Sequence, residues 1–345
     1  MTKNKFVQAL NNPEVPYIIA ETAYIHEGDF DYLMKLVKEI IKAKCCDAIK
    51  FHILIDIDSY ITPSHKLYSL YKKMMMSKEK WEKILKFAKS KKFETIVLAD
   101  DSKAIDFVKE NINMVDAVEL HAIALNNIVM LQKIKDIKVP IILGIGGSKI
   151  EDIKFALAFL KRKDILLMHG FQNYPTKHEY ANFRRMAAAM KKFNLPVGYA
   201  DHTSWDSEYN ELITLAGFMA GANFIEKHVT LNFGKKRIDY EASISIDMFR
   251  EIKEKIKILN KTKGDGLFNI PPYEDIYAKN GPMKFTVVAK KNLKKGGIIK
   301  TDCITFKRTG EENNIAQREY LSLIGKTAKR YIPKNHLVNW SNVQN

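Results

Sequence analysis

Apolar runs of strand length alternate with amphipathic segments of helix length along most of the chain. The run YIIAETA at 17–23, for example, precedes a segment at 29–44 whose apolar residues recur at helical spacing. Seven further apolar runs lie at 47–53, 93–100, 117–124, 140–147, 164–170, 195–203 and 223–230, and the helical segments that follow them lie near 77–90, 103–111, 127–136, 149–161, 179–192, 207–220 and 246–260. The pattern therefore predicts eight strand–helix units.

Eight parallel strands with intervening helices, over roughly 250 residues, are typical of a (β/α)8 TIM barrel rather than of an open doubly wound sheet. The glycine-rich segment GIGGSK at 144–149 does not fit the G-x-G-x-x-G pattern of dinucleotide-binding folds. We expect the barrel to occupy residues 1–262. A Gly- and Pro-containing linker over 263–281 and a small β-rich domain over 282–345 would complete the chain.

The composition, 46% hydrophobic and 28% charged, excludes a disordered or low-complexity chain. No run reaches the roughly 18 apolar residues of a membrane helix, and the first residues lack the apolar core of a signal peptide, so we expect a cytoplasmic protein without a membrane partner. Cys45, Cys46 and Cys303 form neither a disulfide framework nor a C-x-x-C motif, which favours reduced thiols.

A net charge of +16 is compatible with an anionic partner such as nucleic acid, a membrane surface or a small acidic metabolite. The lysines are scattered over helix positions, for example Lys35, Lys38 and Lys42, rather than gathered in a basic arm. This distribution favours a solvated surface, and the sequence contains no nucleic-acid-binding motif. We therefore expect small-molecule substrates and no nucleic acid.

Polar residues are unusually frequent at the ends of the predicted strands, where a TIM barrel carries its active site. Six of the nine histidines lie there, namely His26, His52, His121, His169, His202 and His228. A single histidine at a strand end is more often a hydrogen-bonded core residue, but six are harder to explain in that way. Because residues two apart on a strand face the same side, three pairs are candidates for the barrel interior, namely Lys50 with His52, Glu119 with His121, and Glu226 with His228.

His202 and His228 end neighbouring strands, the seventh and the eighth, so their imidazoles are predicted to lie close together. Two imidazoles with water and substrate oxygens can bind a divalent metal ion, which would polarise a substrate carbonyl. Two protein ligands alone make a weak site.

Two further segments have open interpretations. Gly146, Gly147 and Ser148, between the fifth strand and a helix, could present backbone N–H groups to a phosphate or carboxylate, or could simply form a turn. Asp239, after the eighth strand, could be a catalytic acid or a loop cap, and its position alone favours the cap.

Several segments resemble, in order, motifs of the sialic acid (N-acetylneuraminate) synthase family, which includes synthases of legionaminic and pseudaminic acid. These are IAETAYIHEGDFD (19–31), DAIKFH (47–52), HGFQNYPT (169–176), LPVGYADHT (195–203) and ANFIEKHVTL (222–231). VVAKKNLKKGGIIKTDCITFKRTG (287–310) resembles the start of the antifreeze-like (SAF) domain of that family. The likeness spans nearly the whole chain.

The resemblance implies a TIM barrel and a SAF lid in a domain-swapped homodimer. Members of the family condense phosphoenolpyruvate with an open-chain N-acetylated amino sugar, using Mn²⁺ or Mg²⁺, to a nine-carbon 2-keto (nonulosonic) acid. Such acids are used in surface glycans. The resemblance implies metal binding by His202 and His228 and catalytic roles for Glu21, Lys50 and Asp239. The candidate substrate-binding residues are His52, Glu119, Gln172, Tyr174, Gly146, Gly147, Ser148 and Arg308.

This chain departs from the family pattern where the family binds phosphate. Glu119 replaces a lysine, and serines are replaced by Ala122, Gly144 and Ala200. Three hypotheses remain open: a sialic acid synthase-like enzyme that binds phosphoenolpyruvate in an altered way, a metal-dependent lyase, aldolase or isomerase with another substrate, and a catalytically silent homologue.

Overall fold

The computed structural model describes residues 4–170 and 173–345. The chain divides into two compact units, Met1–Lys263 and Gly264–Asn345. Each unit has its own apolar core.

The first unit contains eight parallel strands in sequential order, and the first strand pairs with the eighth to close a barrel. The strands are β1 Tyr17–Glu21, β2 Ala48–Ile53, β3 Glu94–Ala99, β4 Ala117–Leu120, β5 Ile141–Gly144, β6 Ile165–Gly170, β7 Val197–Asp201 and β8 Phe224–Thr230. The closing register runs from Tyr17 opposite Phe224 to Glu21 opposite His228. The predicted TIM barrel is therefore confirmed, and a short strand, β9 (Ser243–Ser245), extends the sheet beyond β8.

The helices of this unit are α1 Lys5–Asn11, α2 Phe30–Ala43, α3 Ile57–Tyr60, α4 Tyr68–Met74, α5 Lys78–Ser90, α6 Ser102–Glu110, α7 Ile128–Ile134, α8 Ile150–Leu160, α9 Phe183–Phe193, α10 Asn210–Met219 and α11 Ile246–Thr262. Side chains at helical spacing pack one face of α2 against the barrel, namely Leu33, Leu36, Val37 and Ile40. None of the helices in the described part of the chain has both the length and the apolar character needed to cross a bilayer.

The sequence pattern did not predict α1, α3 or α4. These helices have 7, 4 and 7 residues, at most two helical turns, and they lie outside the regular strand–helix alternation that predicted α7, which also has 7 residues. Tertiary contacts explain α1, because the ring of Phe6 packs against Tyr17 and Phe224 with centroids 5.3 and 4.9 Å apart. Phe6 and Ala9 thereby join the apolar core inside the barrel.

The second unit is built from short antiparallel strand pairs and turns. β10 (Thr286–Ala289) pairs with β11 (Ile304–Lys307), and β12 (Thr327–Ala328) pairs with β13 (Val343–Gln344). A 3-10 helix over Gln317–Leu323 packs on the same small core, and α12 (Asp275–Ala278) lies in the segment predicted to be a linker. Cys303 here and Cys45 and Cys46 in the first unit are buried thiols without a disulfide.

Candidate active site

A cavity of about 320 Å³ opens among the carboxyl ends of the barrel strands. All three predicted inward pairs line it, namely Lys50 with His52, Glu119 with His121, and Glu226 with His228. The two-residue period of a strand explains this placement, because it sends alternate side chains to the interior. The cavity therefore collects titratable groups from strands that are far apart in sequence.

The Lys50 ammonium lies among three carboxyl groups. Its Nζ is 2.6 Å from Glu226 Oε1, 2.8 Å from Glu119 Oε2 and 3.2 Å from Glu21 Oε1. Burial alone would lower the pKa of Lys50, but the three carboxyl groups raise it well above its usual range. We call Lys50, Glu21, Glu119 and Glu226 the lysine cluster.

The carboxyl groups of the lysine cluster differ in the direction of their pKa shifts, because they share one ammonium group. Burial raises the pKa of Glu119 and that of Glu226. Burial alone would raise the pKa of Glu21 as well, but Lys50 and His228 together hold it well below the usual range. Glu226 Oε2 is buried and accepts no hydrogen bond from the described residues. The cluster thus contains more acid than its one lysine can neutralise.

Glu21, His202 and His228 form a buried group whose ligand atoms all lie within 4.8 Å of one another. The His202 and His228 rings are 4.9 Å apart between centroids, as their position on neighbouring strands predicts. His228 Nε2 is 3.3 Å from Glu21 Oε2. We call these three residues the metal triad, because one carboxylate and two imidazoles at this spacing could hold a divalent ion.

Three observations fit this donor set to a metal ion. His202 Nδ1 donates to the carbonyl of Ala200 at 3.1 Å, which leaves Nε2 as the unprotonated nitrogen of the neutral ring. Burial lowers the pKa of His202 to about 3, so the ring is neutral at physiological pH. His228 Nδ1 is buried with no hydrogen-bond partner among the described residues. The neutral imidazole of His202, the imidazole of His228 and the Glu21 carboxylate therefore make up a donor set of the kind that binds a divalent cation.

A second group of residues lines the cavity at and beyond the ends of β1, β2 and β3. Its members, which we call the Asp100 wall, are Tyr24, His52, Tyr60, Tyr71 and Asp100. The Tyr24 hydroxyl donates to Asp100 Oδ2 at 2.6 Å, and Tyr71 packs edge-on against both Tyr24 and Tyr60. Burial raises the pKa of Asp100 to about 6.

His52 connects the Asp100 wall to the metal triad. Its Nε2 is 2.5 Å from Glu21 Oε1, and its Nδ1 is 3.9 Å from Asp100 Oδ2. Burial would lower the pKa of His52, but the hydrogen bond and charge of Glu21 raise it. One imidazole ring therefore separates the carboxyl groups of Glu21 and Asp100.

Tyr174 and Asp239 also line the cavity. The Tyr174 ring lies 5.8 Å from His202 and 6.0 Å from His228 between centroids. Asp239 Oδ2 accepts the backbone N–H of Tyr24 at 2.9 Å, so it ties two loops together and makes no side-chain cap of its own 3-10 helix. Gln172 lies outside the described residues.

The remaining candidate substrate-binding residues are less central. Gly146 lines the cavity, whereas Gly147 and Ser148 line a shallower pocket beside it that also contains Asp152. The Asp152 carboxylate accepts the N–H of Lys149 at 2.9 Å, so a protein carboxylate already occupies part of this helix start. Arg308 belongs to the second unit, where its guanidinium donates to the carbonyl of Pro282.

Two of the six strand-end histidines do not line the cavity. His26 is fully buried, its Nδ1 accepts the N–H of Gly28 at 3.0 Å, and its ring packs against Trp81. His169 donates from Nε2 to the carbonyl of Ala181 at 2.9 Å. Both match the hydrogen-bonded core histidine that is the more common outcome at such positions.

Sequence reasoning missed part of the site. Glu21 was predicted as a catalytic group and not as a member of the metal group, and Tyr24, Tyr60 and Tyr71 were not singled out. His52, Glu119 and His121, which are also residue types that can bind metal ions, form no metal-type group among the described residues. The signal for Tyr60 and Tyr71 was the long segment between β2 and α5, and the signal for Tyr24 was the loop after β1, because loops at this end of a TIM barrel carry site residues.

One departure from the family pattern has a steric reason. A Cβ atom added at Gly144 would lie 2.7 Å from the backbone nitrogen of Ala122, so no larger residue fits this backbone. Ala122 and Ala200, at two other serine positions, line the cavity with methyl groups. The side of the cavity formed by β4, β5 and β7 therefore lacks the hydroxyl groups that the resemblance implies.

The fold and the site together define a TIM-barrel protein with a buried Glu/His/His group that could bind a metal ion. The NeuB family model matches residues 37–267, and the SAF domain model matches residues 286–344. This chain belongs to the NeuB family, and its second unit carries a SAF domain. The predicted resemblance and fold class are confirmed.

Similar proteins support this assignment over nearly the full length. An uncharacterized protein of Methanocaldococcus jannaschii is 31% identical over 96% of this chain and 95% of its own. The N,N'-diacetyllegionaminic acid synthase of Campylobacter jejuni is 27% identical over 93% and 98% of the two chains. A spore coat polysaccharide biosynthesis protein E of Chromobacterium violaceum has the same fold, with a TM-score of 0.81 at 19% identity over 96% and 100%.

Proposed function

We propose that this protein is a nonulosonic acid synthase that condenses phosphoenolpyruvate with an open-chain N-acetylated amino sugar. The observation that carries the proposal is the metal triad at the carboxyl end of a barrel of the NeuB family. Relatives named as synthases of legionaminic and pseudaminic acid support the same reaction class. The product would be a 2-keto-3-deoxy acid, with release of phosphate.

The residues of the metal triad would hold Mn²⁺ or Mg²⁺, and two imidazoles beside one carboxylate favour Mn²⁺. A bound ion would polarise the sugar aldehyde as a Lewis acid. Glu21, which also contacts Lys50 and His52, would orient these two side chains towards the reacting carbons. Asp239 would accept sugar hydroxyl groups, and Tyr174 would cover the side of the cavity next to both histidines.

Lys50 would contact the anionic end of phosphoenolpyruvate, but Glu119 lies 2.8 Å from its ammonium group. We propose that Glu119 takes up a proton when the anion binds, a change that burial of the carboxyl favours because it raises the Glu119 pKa. The neutral carboxyl would then donate a hydrogen bond to the anion rather than repel it. The protein would thereby replace a family lysine with a neutral acid. We propose this arrangement as the altered mode of phosphoenolpyruvate binding.

The experiment is calorimetric titration with phosphoenolpyruvate in the presence of Mn²⁺, followed by an assay of phosphate release with N-acetylated hexosamines. We expect saturable binding and sugar-dependent phosphate release. Glu119→Gln should preserve the affinity for phosphoenolpyruvate, because it retains a donor, and Glu119→Lys should increase it by about tenfold. Glu82→Gln, on an exposed face of α5, is the matched control. No binding up to about 10 mM would reject the proposal.

A second candidate is a metal-dependent lyase, aldolase or isomerase that acts on an unphosphorylated substrate. The observation in its favour is that three carboxyl groups surround the one ammonium group of the lysine cluster. This function predicts Mn²⁺ binding without phosphoenolpyruvate binding, together with binding of pyruvate or another unphosphorylated keto acid. The same titrations therefore separate the two candidates.

We further propose a domain-swapped homodimer, in which Arg308 acts at the barrel of a second copy. Light scattering tests the dimer. Mixing the inactive variants His228→Ala and Arg308→Ala, after dissociation and reassembly, should restore about a quarter of the activity, because half of the random dimers contain one intact site. Continued inactivity of well-mixed dimers would show that Arg308 does not act across the interface.

A further inference from the structure

We propose that the Asp100 wall is the subsite for the hydroxylated tail of the sugar, and that it selects an uncharged tail over a phosphorylated one. This inference rests on the proposed function for the identity of the sugar as a substrate. It adds a specificity that the family assignment leaves open, because similar proteins include both legionaminic acid synthases and N-acetylneuraminate-9-phosphate synthases.

The position of the wall relative to the metal triad supports a tail subsite. His52 bridges from Glu21 of the triad to Asp100 of the wall, with contacts of 2.5 and 3.9 Å. A sugar whose carbonyl oxygen lies at the triad would therefore meet the wall one imidazole width further along the cavity. Both groups of residues line the same cavity of about 320 Å³, so no barrier separates them.

The polar groups of the wall suit hydroxyl groups. Asp100 is only 7% exposed, and its Oδ2 accepts the Tyr24 hydroxyl, whereas Oδ1 accepts no hydrogen bond within the described residues. Because Asp100 lines the cavity, this unused oxygen is a candidate acceptor for a ligand donor. Sugar hydroxyl groups are donors, but a phosphate dianion offers none.

The aromatic rings of the wall suit the carbon skeleton of the same tail. The Tyr71 ring packs edge-on against Tyr24 and against Tyr60, with centroid distances of 5.4 and 5.1 Å. The three rings therefore form one continuous surface. Tyr60 and Tyr71 are partly exposed within this lining. Tyrosine supplies a rigid apolar face with a polar edge, which matches the alternation of C–H and O–H groups along a polyol.

Charge decides against a phosphorylated tail. The described residues that line the cavity include five carboxyl groups, those of Glu21, Asp100, Glu119, Glu226 and Asp239, and one lysine. Lys50 is already held by three of them. His52 is the one other lining group of the wall that can carry a positive charge, and Glu21 already holds its Nε2 at 2.5 Å. A phosphate group at the wall would therefore lie beside Asp100 in a lining with an excess of acid, and like charges at low dielectric repel strongly.

The test measures binding without turnover, so it does not depend on the condensation reaction. The probes are the open-chain alditol of N-acetylmannosamine and the same alditol with a 6-phosphate, each titrated calorimetrically into the full-length protein with Mn²⁺. We expect the neutral alditol to bind at least about tenfold more tightly than its phosphate. Asp100→Asn, which keeps an acceptor for Tyr24, should reduce this preference to about twofold or less.

Tyr60→Leu should weaken binding of the neutral alditol by about fivefold, because the aromatic face is lost. Asp136→Asn, an exposed acid after α7 and outside the cavity lining, should leave both affinities unchanged. Equal or tighter binding of the phosphorylated probe would overturn the inference, as would failure of both probes to bind up to about 10 mM. A protein that discriminates between the probes but does not bind phosphoenolpyruvate would retain the subsite and lose the proposed reaction.

Discussion

Lys50 and Lys227 are both buried in the barrel strands, with side-chain exposures of 2% and 1%, but their surroundings differ. Lys227 Nζ is 2.8 Å from Asp201 Oδ2, which also accepts the Thr214 hydroxyl at 2.6 Å. The other oxygen of Asp201 accepts the backbone N–H and the hydroxyl group of Thr203. Lys50, in contrast, faces three carboxyl groups, and one of them, Glu226, retains a buried oxygen that has no hydrogen-bond partner among the described residues.

This difference distinguishes a structural ion pair from a candidate ligand-binding site among the buried charges of the barrel. The network of Lys227 pairs one cation with one anion and satisfies the anion with hydroxyl groups, which is how a structural ion pair avoids unpaired buried charge. The lysine cluster has an excess of acid, and Glu21, one of its members, also belongs to the metal triad. An unbalanced buried network is costly unless a ligand completes it.

Removal of Lys227 should have the largest effect on stability. Lys227→Met leaves the Asp201 carboxylate buried without its cation, and we expect the free energy of unfolding to fall by about 3 to 5 kcal/mol. Chemical denaturation measures this change. Lys50→Met should cost less, because the pKa values of Glu119 and Glu226 are already raised and these groups can take up protons. A greater loss of unfolding free energy for Lys50→Met than for Lys227→Met would contradict the proposed contrast between the two networks.

Removal of a triad histidine should affect activity instead of stability. We expect His228→Ala, and likewise His202→Ala, to reduce turnover by about 10³-fold, because a Lewis acid contributes several kcal/mol to such a reaction. The melting temperature of the metal-free protein should stay near that of the parent. Steady-state kinetics and Mn²⁺ titration provide the readout, and full activity in either variant would remove the metal from the mechanism.

Replacement of Asp100 by asparagine and replacement of Asp201 by asparagine should change the free energy of unfolding in opposite directions. Burial raises the pKa of Asp100 to about 6, so the stability linked to its proton is complete below the unfolded value near 3.8 and is lost as the pH rises through 6. Asp100→Asn should therefore stabilise the metal-free protein by about 2 kcal/mol at pH 7 and by little at pH 3.5.

Burial alone would raise the pKa of Asp201 too, but Lys227 and two threonine hydroxyl groups hold it below the usual value. Its contribution is present above the unfolded pKa and is lost as the pH falls through the lower folded value, so Asp201→Asn should destabilise at pH 7. Denaturation of both variants at each pH is the measurement. The same sign for the two variants would contradict the proposed contrast between the networks.

The smallest effect is expected at an exposed pair. Lys255 Nζ contacts both oxygens of Glu211 at 2.6 Å, with side-chain exposures of 44% and 36%. Solvent screens this pair, so Lys255→Met should leave the denaturation midpoint unchanged within error. A change as large as that of Lys227→Met would show that burial is not what separates these networks.

Much of the site could be predicted because a TIM barrel converts strand periodicity into position. The pairs Lys50/His52, Glu119/His121 and Glu226/His228 were expected inside on two-residue spacing alone, and all line the cavity. The same reasoning could not separate them from His26 and His169, because a strand-end position does not specify whether a side chain meets the cavity or a neighbouring carbonyl group.

The sequence by itself determined the alternation of strands and helices, the inward strand positions and the family of the chain, since these depend on local periodicity and on motifs of contiguous residues. Only the tertiary structure decided which charges meet. Glu21 contacts Lys50, His52 and His228 across strands β1, β2 and β8, and Asp100 meets Tyr24 from a different loop. These partners are 29 to 207 residues apart in sequence. Barrel closure and strand register bring them together, and no local pattern contains that information.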